Sequence, residues 1–270
     1  VKIGTLLLAR MGSTRLPGKV MLDLHGKPVL EHIINRLQKV TLSSKLVVAT
    51  TTNPKDDLIE NFCKSKGFLV FRGSENNVLD RCIKACDAYS LDCIVRVGAD
   101  TPFIDWKVID SMLDLFLSTY SAENKIEYLS NSLQRSYPLG LDADIMTRNS
   151  LLRIDHETKN FSKEERKKNE INVIPYIHEN LDKFNTISFH QNFDYSNLRW
   201  TLDTTQDFEL TQKIYNYLFP FKPDFLMNDI LEVLEKNKEW SLINSNVIPR
   251  SGYWTKVEKN KLRKKLDINL

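Results

Sequence analysis

Four short apolar runs punctuate the first hundred residues: "KIGTLLLA" (2–9), "KLVVATT" (45–51), "FLVF" (68–71) and "DCIVRVGA" (92–99). They are near-continuous rather than alternating and rich in Val, Ile, Leu and Phe, as strands covered on both faces must be. Between them, apolar residues return every three or four positions. "PVLEHIINRLQKV" sets Val29, Leu30, Ile33, Ile34 and Leu37 on one helical stripe, with Pro28 suited to the first turn. "DDLIENFCKSKG" repeats the stripe through Leu58, Ile59, Phe62 and Cys63; Asp56 and Asp57 stand at the positive end of the dipole and Gly67 at the stop. "NNVLDRCIKACDAYS" and "DWKVIDSMLDLFLS" supply two more helices. Strand and helix alternate without hairpin signals, so the pattern predicts an α/β fold: a mostly parallel sheet with helices on both faces and a ligand site at the carboxyl ends of the strands.

After about residue 120 the rhythm loosens. "IEYLSNS" and "YPLGLDADIM" read as extended, "SLLRI" as a short helix, and "DHETKNFSKEERKKNE" (155–170) as a charged, solvated run. A core pattern returns in "INVIPYIHENL", "FNTISF" and the strand-like "LRWTLD", followed by helices over 206–218 and 228–236. With no linker and no internal repeat, the reading is a single domain over 1–250, with roughly 125–190 as an excursion from it and 251–270 as a basic surface tail.

Composition narrows the function classes. Across 270 residues, 38 Lys and Arg against 35 Asp and Glu leave a net charge of +3, too even for wholesale binding to nucleic acid or to an acidic membrane. No apolar run approaches the roughly 18 residues of a membrane helix, and the N-terminus lacks a secretory leader, so a cytoplasmic protein is expected. Cys63, Cys82, Cys86 and Cys93 sit in apolar surroundings without CxxC pairs, which predicts buried thiols; Cys82 and Cys86 share a helix face with Leu79 and Ile83.

The first strand runs into "LLLARMGSTRLPGKVM" (6–21), a loop with Gly12 and Gly18, Pro17 and three cations. It is not a GxxxxGK[ST] phosphate loop: the two glycines are separated by five residues, and Lys19 is followed by Val20, which cannot coordinate magnesium. There is also no GxGxxG. An anion site remains, with Gly12 and Ser13 allowing close backbone approach and Arg10, Arg15 and Lys19 bringing charge to the strand's carboxyl end.

The order of "ARMGSTRLPGKVMLDLHGKPVLEHIINRL", "VVATT", "VFRGSENNVLDR", "VRVGADTPFID", "YPLGLDADIM" and "LRWTLDTTQDFEL", over roughly residues 2–215, resembles the SpsF-like cytidylyltransferases. These are similar to the synthetases that couple CMP to sialic acid, pseudaminic acid and 3-deoxy-manno-octulosonate. The resemblance implies a Rossmann-like nucleotide-diphospho-sugar transferase fold, CTP and an acidic sugar as substrates, Mg2+ as cofactor, and a homodimer formed through the segment near 125–190. It implies a triphosphate cradle of Ala9, Arg10, Met11, Gly12, Ser13, Arg15 and Lys19, and metal ligation by Asp100 and Asp203, with Arg10, Lys19, Asp100 and Asp203 as the catalytic set. Cytosine would be read by the second and third strand ends, through Ala49, Thr50, Thr51, Arg72, Gly73 and Ser74, and the sugar by Tyr137, Gly140, Asp142 and also Asp144.

Asp105 and Asp207 each precede a helical pattern and read as caps or first-turn acids, while His156 and His178 read as structural or solvent-facing. Two departures from the resemblance stand out. Asn77 replaces an acid at a helix start, and Asn169, Glu170, Ile171 and Asn172 replace an Arg-Glu-His run, which bears on acceptor choice. Transfer from CTP to a different phosphate- or carboxylate-bearing acceptor, or a non-catalytic nucleotide-binding subunit, are the competing functions.

Overall fold

β1 (Ile3–Leu8) is the strand around which the sheet is assembled. The computed structural model describes residues 1–121, 125–162 and 173–248; the basic tail, the later part of the charged run and the run Asn169–Asn172 lie outside them. Parallel neighbours of β1 are β4 (Leu46–Thr51) and β6 (Cys93–Gly98), and β5 (Leu69–Gly73) pairs in parallel beyond β4. On the other flank β8 (Asp144–Thr147) runs antiparallel to both β6 and β7 (Tyr128–Ser130), and β9 (Thr186–Ser188) closes the sheet parallel to β7. The order is β5-β4-β1-β6-β8-β7-β9, and only β8 is reversed.

Alternation along each strand divides the core in two. Ile3, Leu7, Val48, Val95, Val97 and Ile145 face one cluster with α1 (Val29–Leu37), α2 (Asp57–Ser65), α4 (Trp106–Thr119), α7 (Thr205–Leu218) and α8 (Met227–Lys236). Leu6, Val47, Ile94, Tyr128 and Met146 face the other, with α3 (Val78–Tyr89), α5 (Arg148–Thr158) and α6 (Val173–Glu179). All four cysteines are buried and reduced within these clusters, and burial pushes the Cys63 thiol up to about 11 and Cys86 to about 12.

Several elements differ from the sequence pattern. A small hairpin of β2 (Asp23–Leu24) and β3 (Lys27–Pro28) turns at His25 and Gly26, with φ of 52° and 80°, the two positive angles a two-residue turn requires. "LRWTLD" is not a strand: Arg199 makes a single parallel bridge to Leu139, and Trp200 N–H donates to Leu139 O at 2.7 Å. "YPLGLDADIM" is extended only over its last part, and the helix at "SLLRI" begins at Arg148 and runs on to Thr158, into the charged run. Asn77 caps α3 through its amide oxygen, which accepts from Asp80 N–H at 2.8 Å, so the missing acid costs the cap nothing in geometry. Asp105 caps α4, and Asp207 completes a capping box with Thr204 at the start of α7. Among the described residues, no helix is long and apolar enough to cross a membrane.

Candidate active site

The loop after β1 is tied down before it is charged. Buried Asp56 accepts from Met11 N–H at 2.7 Å and from the Thr51 hydroxyl, so one carboxylate joins the carboxyl ends of β1 and β4. Met11 O in turn accepts from Ser13 N–H at 2.8 Å and Gly18 N–H at 3.2 Å, and Ser13 Oγ accepts from Leu16 N–H. Gly18, at φ 69°, then launches the short turn Lys19–Met21. Met11 contributes its backbone to this hub. Replacing Asp56 with Ala leaves the partly buried Met11 amide without this partner, a loss of about 1 kcal/mol that thermal unfolding should show.

Lys19 reaches from this loop to two acids far away in sequence. Its ammonium donates to Asp203 Oδ1 at 2.8 Å, to Leu202 O at 2.7 Å and to Asp100 Oδ2 at 3.4 Å. Arg15 holds the other Asp203 oxygen at 2.7 Å, with Arg199 at 3.4 Å. The acids meet because Leu202 N–H and the Thr201 hydroxyl both donate to Asp100 O, at 2.8 and 3.1 Å. Below them, Arg199 forms a two-pronged pair with Asp207 at 2.8 Å on each arm, and Asn244 donates to Asp207 and to Arg199 O. Asp207 also accepts from the N–H groups of Asp203 and Thr204, so this acid aims its neighbour.

Burial opposes charge at both members of the central pair, and ion pairing outweighs it. Lys19 is held above the ordinary lysine value by Asp100 and Asp203, and Asp203 is held below the usual carboxylate range by Lys19, Arg15 and Arg199.

These groups line one cleft of about 410 Å³ at the carboxyl ends of β1 and β6. The structure brings Ala9, Arg10, Gly12, Ser13, Arg15, Lys19, Asp100, Asp203, Gly140, Asp142 and Asp144 into its wall. Gly140, at φ 112°, is shaped by packing: a Cβ there would stand 2.5 Å from Trp200 C and Thr201 N. Gly140→Ala should therefore displace the backbone that carries Asp203, lowering both melting temperature and nucleotide affinity. Burial pushes Asp142 up, opposed by Arg135, which pairs with it. Asp144 is enclosed by Tyr128 OH at 2.7 Å, Ser130 Oγ at 2.8 Å and Arg96 at 3.1 Å.

Other expected site residues stand elsewhere. The Arg72 guanidinium is fully engaged, by Asp57 and Glu60 at 2.6 Å each and by the carbonyls of Thr51 and Asn53. Thr50 is buried within the sheet, Ser74 Oγ accepts from Asn77 N–H, and Gly73 makes room for Arg81, whose Cγ would lie 2.8 Å from a Cβ. Tyr137 is a core residue, its ring stacked on Phe189 with centroids 6.0 Å apart. None of these five lines the cleft; Glu75, Arg81, Arg96, Arg135 and Arg199, which the sequence pattern did not single out, do. An arginine inside the apolar run "CIVRVG" was the available signal for Arg96. His156 is exposed on α5, and His178 meets Tyr128 OH at 3.1 Å behind the cleft wall.

Two carboxylates that already share one cation are hard oxygen donors suited to Mg2+, which commonly takes one or two carboxylates and completes its shell with substrate phosphates and water. Among the described residues no cluster of three or more His, Cys, Asp or Glu is placed to hold a metal.

This sheet order, with its loop at the end of β1, is a nucleotidyltransferase fold: the chain matches a structure of CMP:2-keto-3-deoxy-manno-octonic acid synthetase complexed with CTP at TM-score 0.58 and 17% identity, over 80% of this chain and 99% of that one. A cytidylyltransferase structure from Leptospira borgpetersenii serovar Hardjo-bovis superposes at TM-score 0.81 with 35% identity, covering 92% of this chain and 98% of that one. The cytidylyltransferase family model matches residues 5–240, and the chain belongs to that family, with SpsF-like relatives. An uncharacterised protein of Methanocaldococcus jannaschii is 33% identical over 93% of this chain and 98% of its own length. The spore coat polysaccharide biosynthesis protein SpsF of Bacillus subtilis is 29% identical over 87% and 94%. The 3-deoxy-manno-octulosonate cytidylyltransferase of Trichlorobacter lovleyi is 31% identical over 43% of this chain and 46% of that enzyme.

Proposed function

We propose that this protein transfers the cytidylyl group of CTP to a hydroxyl of an acidic, nonulosonic-acid-type sugar, releasing pyrophosphate and giving a CMP-sugar for surface polysaccharide or glycan synthesis. The observation that carries this reading is the convergence of Arg10, Arg15 and Lys19 with Asp100 and Asp203 on one cleft. The polysaccharide role named for the SpsF relative and the sugar acid named for the octulosonate enzymes support the acceptor class.

The chain's own groups divide the work. Arg10 stands exposed at the end of β1 and forms no ion pair among the described residues, which leaves its charge for phosphate. Lys19 and Arg15 are preorganised on Asp203 and can turn to triphosphate oxygens with little loss of pairing. Asp100 and Asp203 would hold Mg2+, which would supply Lewis-acid neutralisation of the triphosphate. The acceptor oxygen bonds to the α-phosphorus and gives up its hydroxyl proton to solvent as the bond from that phosphorus to the α,β-bridging oxygen breaks, and pyrophosphate leaves with that electron pair. Arg10, Arg15 and Lys19 stabilise the charge as it departs. Gly140, Asp142 and Arg135, which line the cleft, form the acceptor wall in this reading, and the resemblance to dimeric relatives assigns the contact with a second copy to the segment near 125–190.

Incubation with CTP, Mg2+ and a panel of nonulosonic acids should release pyrophosphate only when CTP and an acid are both present. Release solely with a phosphorylated acceptor, or none with any acceptor, would overturn the proposal. Arg10→Ala should weaken CTP binding by about tenfold in low salt, a difference that narrows as ionic strength rises. Gel filtration should give twice the mass of one chain.

A further inference from the structure

The cleft contains a cation that the reaction described above leaves unused. Arg81, on α3, lines the cleft floor and is only 3% exposed. Its Nε and Nη1 are shut off from solvent without a hydrogen-bond partner, and among the described residues no carboxylate lies within ion-pair distance of it. The course of its side chain is fixed, because Cγ passes over the backbone of Gly73. The acids nearby are committed elsewhere: Asp56 to Met11 N–H and the Thr51 hydroxyl, Asp144 to Arg96, Tyr128 and Ser130. Burial pushes the guanidinium pKa down, as do the charges of Arg10 and Arg96, against opposing contributions from Cys82 and Asp56 that are smaller than that of burial.

A buried charge without a partner is among the costliest arrangements a core can hold, and a residue serving only to pack α3 against the sheet would be replaced by an apolar chain at a gain. The neighbouring positive charges favour an anion over a neutral carbonyl as the missing partner. We propose that Arg81 is a ligand-binding residue that takes an oxyanion of the substrates, at a position sharing no hydrogen bond or ion pair with the Lys19–Asp100–Asp203 node. This rests on the cytidylyltransferase reading of the cleft. A nucleotide phosphate and the acceptor carboxylate offer the same chemistry, and they are separable by experiment.

The test is calorimetry of CTP binding and steady-state kinetics with 3-deoxy-manno-octulosonate, or whichever acid of the panel the wild type accepts, on Arg81→Met and Arg81→Lys. A phosphate partner predicts at least tenfold weaker CTP binding in Arg81→Met; a carboxylate partner predicts unchanged CTP affinity and at least a tenfold rise in acceptor KM. In either case Arg81→Met without ligand should melt no lower than wild type, because an unpaired charge has been removed, and its gain in melting temperature on adding ligand should shrink. Arg81→Lys should recover less than half of the lost affinity, since an ammonium lacks the planar fork. Wild-type CTP affinity and acceptor KM in Arg81→Met would overturn the assignment, as would ligand-free unfolding of both variants. A wild-type protein that neither binds CTP nor releases pyrophosphate would instead sink the functional reading itself.

Discussion

Asp203→Asn should lower turnover by at least about a hundredfold while leaving the fold in place. The carboxylate of Asp203 is the meeting point of Lys19, Arg15 and Arg199, and an amide can neither balance that charge nor serve as a hard anionic ligand. The fold should survive because Asp207, directly beneath, keeps Arg199 paired and caps α7 together with Thr204. Stability against pH gives an independent reading. Asp203 titrates below its unfolded value, so it contributes stability that is present above the unfolded carboxylate pKa and is lost as pH falls through the lower, folded one. In Asp203→Asn that acid limb should flatten. An unchanged limb together with unchanged turnover would refute the placement of this side chain at the centre of the site.

Lys19→Met is expected to cost about as much in kcat/KM, on the order of 3 kcal/mol of transition-state stabilisation, for a different reason. Removing the ammonium leaves Asp100 and Asp203 sharing one space without the cation between them. Their repulsion makes the vacated position attractive to a divalent ion. Titration of the nucleotide-free variant with Mn2+ should therefore show tighter binding than wild type, even as CTP turnover falls. Loss of both metal binding and turnover would mean that Lys19 shapes the carboxylates rather than competing for them. The lysine's raised pKa has the matching sign: its stabilisation is full below the unfolded lysine value and fades as pH climbs through the folded one.

The first half of the sheet was largely legible in the amino acids. Near-continuous apolar runs mark strands buried on both faces, and β1, β4, β5 and β6 lie within two residues of those runs. The loop cations stood out because charge at the end of an apolar strand is conspicuous in sequence, whereas Asp100 and Asp203 were singled out through the family resemblance. Arg72 misled because an arginine after a strand looks the same whether it awaits a ligand or is consumed by acids on the next helix; Asp57 and Glu60, one turn apart on α2, consume it. Tyr137 misled because a tyrosine in a Pro-Gly stretch gives no sign of whether its ring faces a ligand or Phe189. Arg81 and Arg96 were hidden in the opposite way, since each occupies a position that periodicity assigns to the core. "LRWTLD" carries a strand's composition, yet one bridge to Leu139 and a pair of bonds to Asp100 O hold it where a ladder would not.

The single reversed strand has a consequence for how such enzymes can diversify. Because β8 runs against its neighbours, the residues that enter it, Asp142 to Asp144, arrive at the same rim of the sheet that β1 and β6 reach as they finish. One bank of that rim is built by chain leaving strands and the opposite bank by chain approaching one. The two banks are separate stretches of sequence, joined through the β6–β8 backbone pairing and the Arg96–Asp144 ion pair, so mutation can remodel the approach to β8 while the loop after β1 stays as it is.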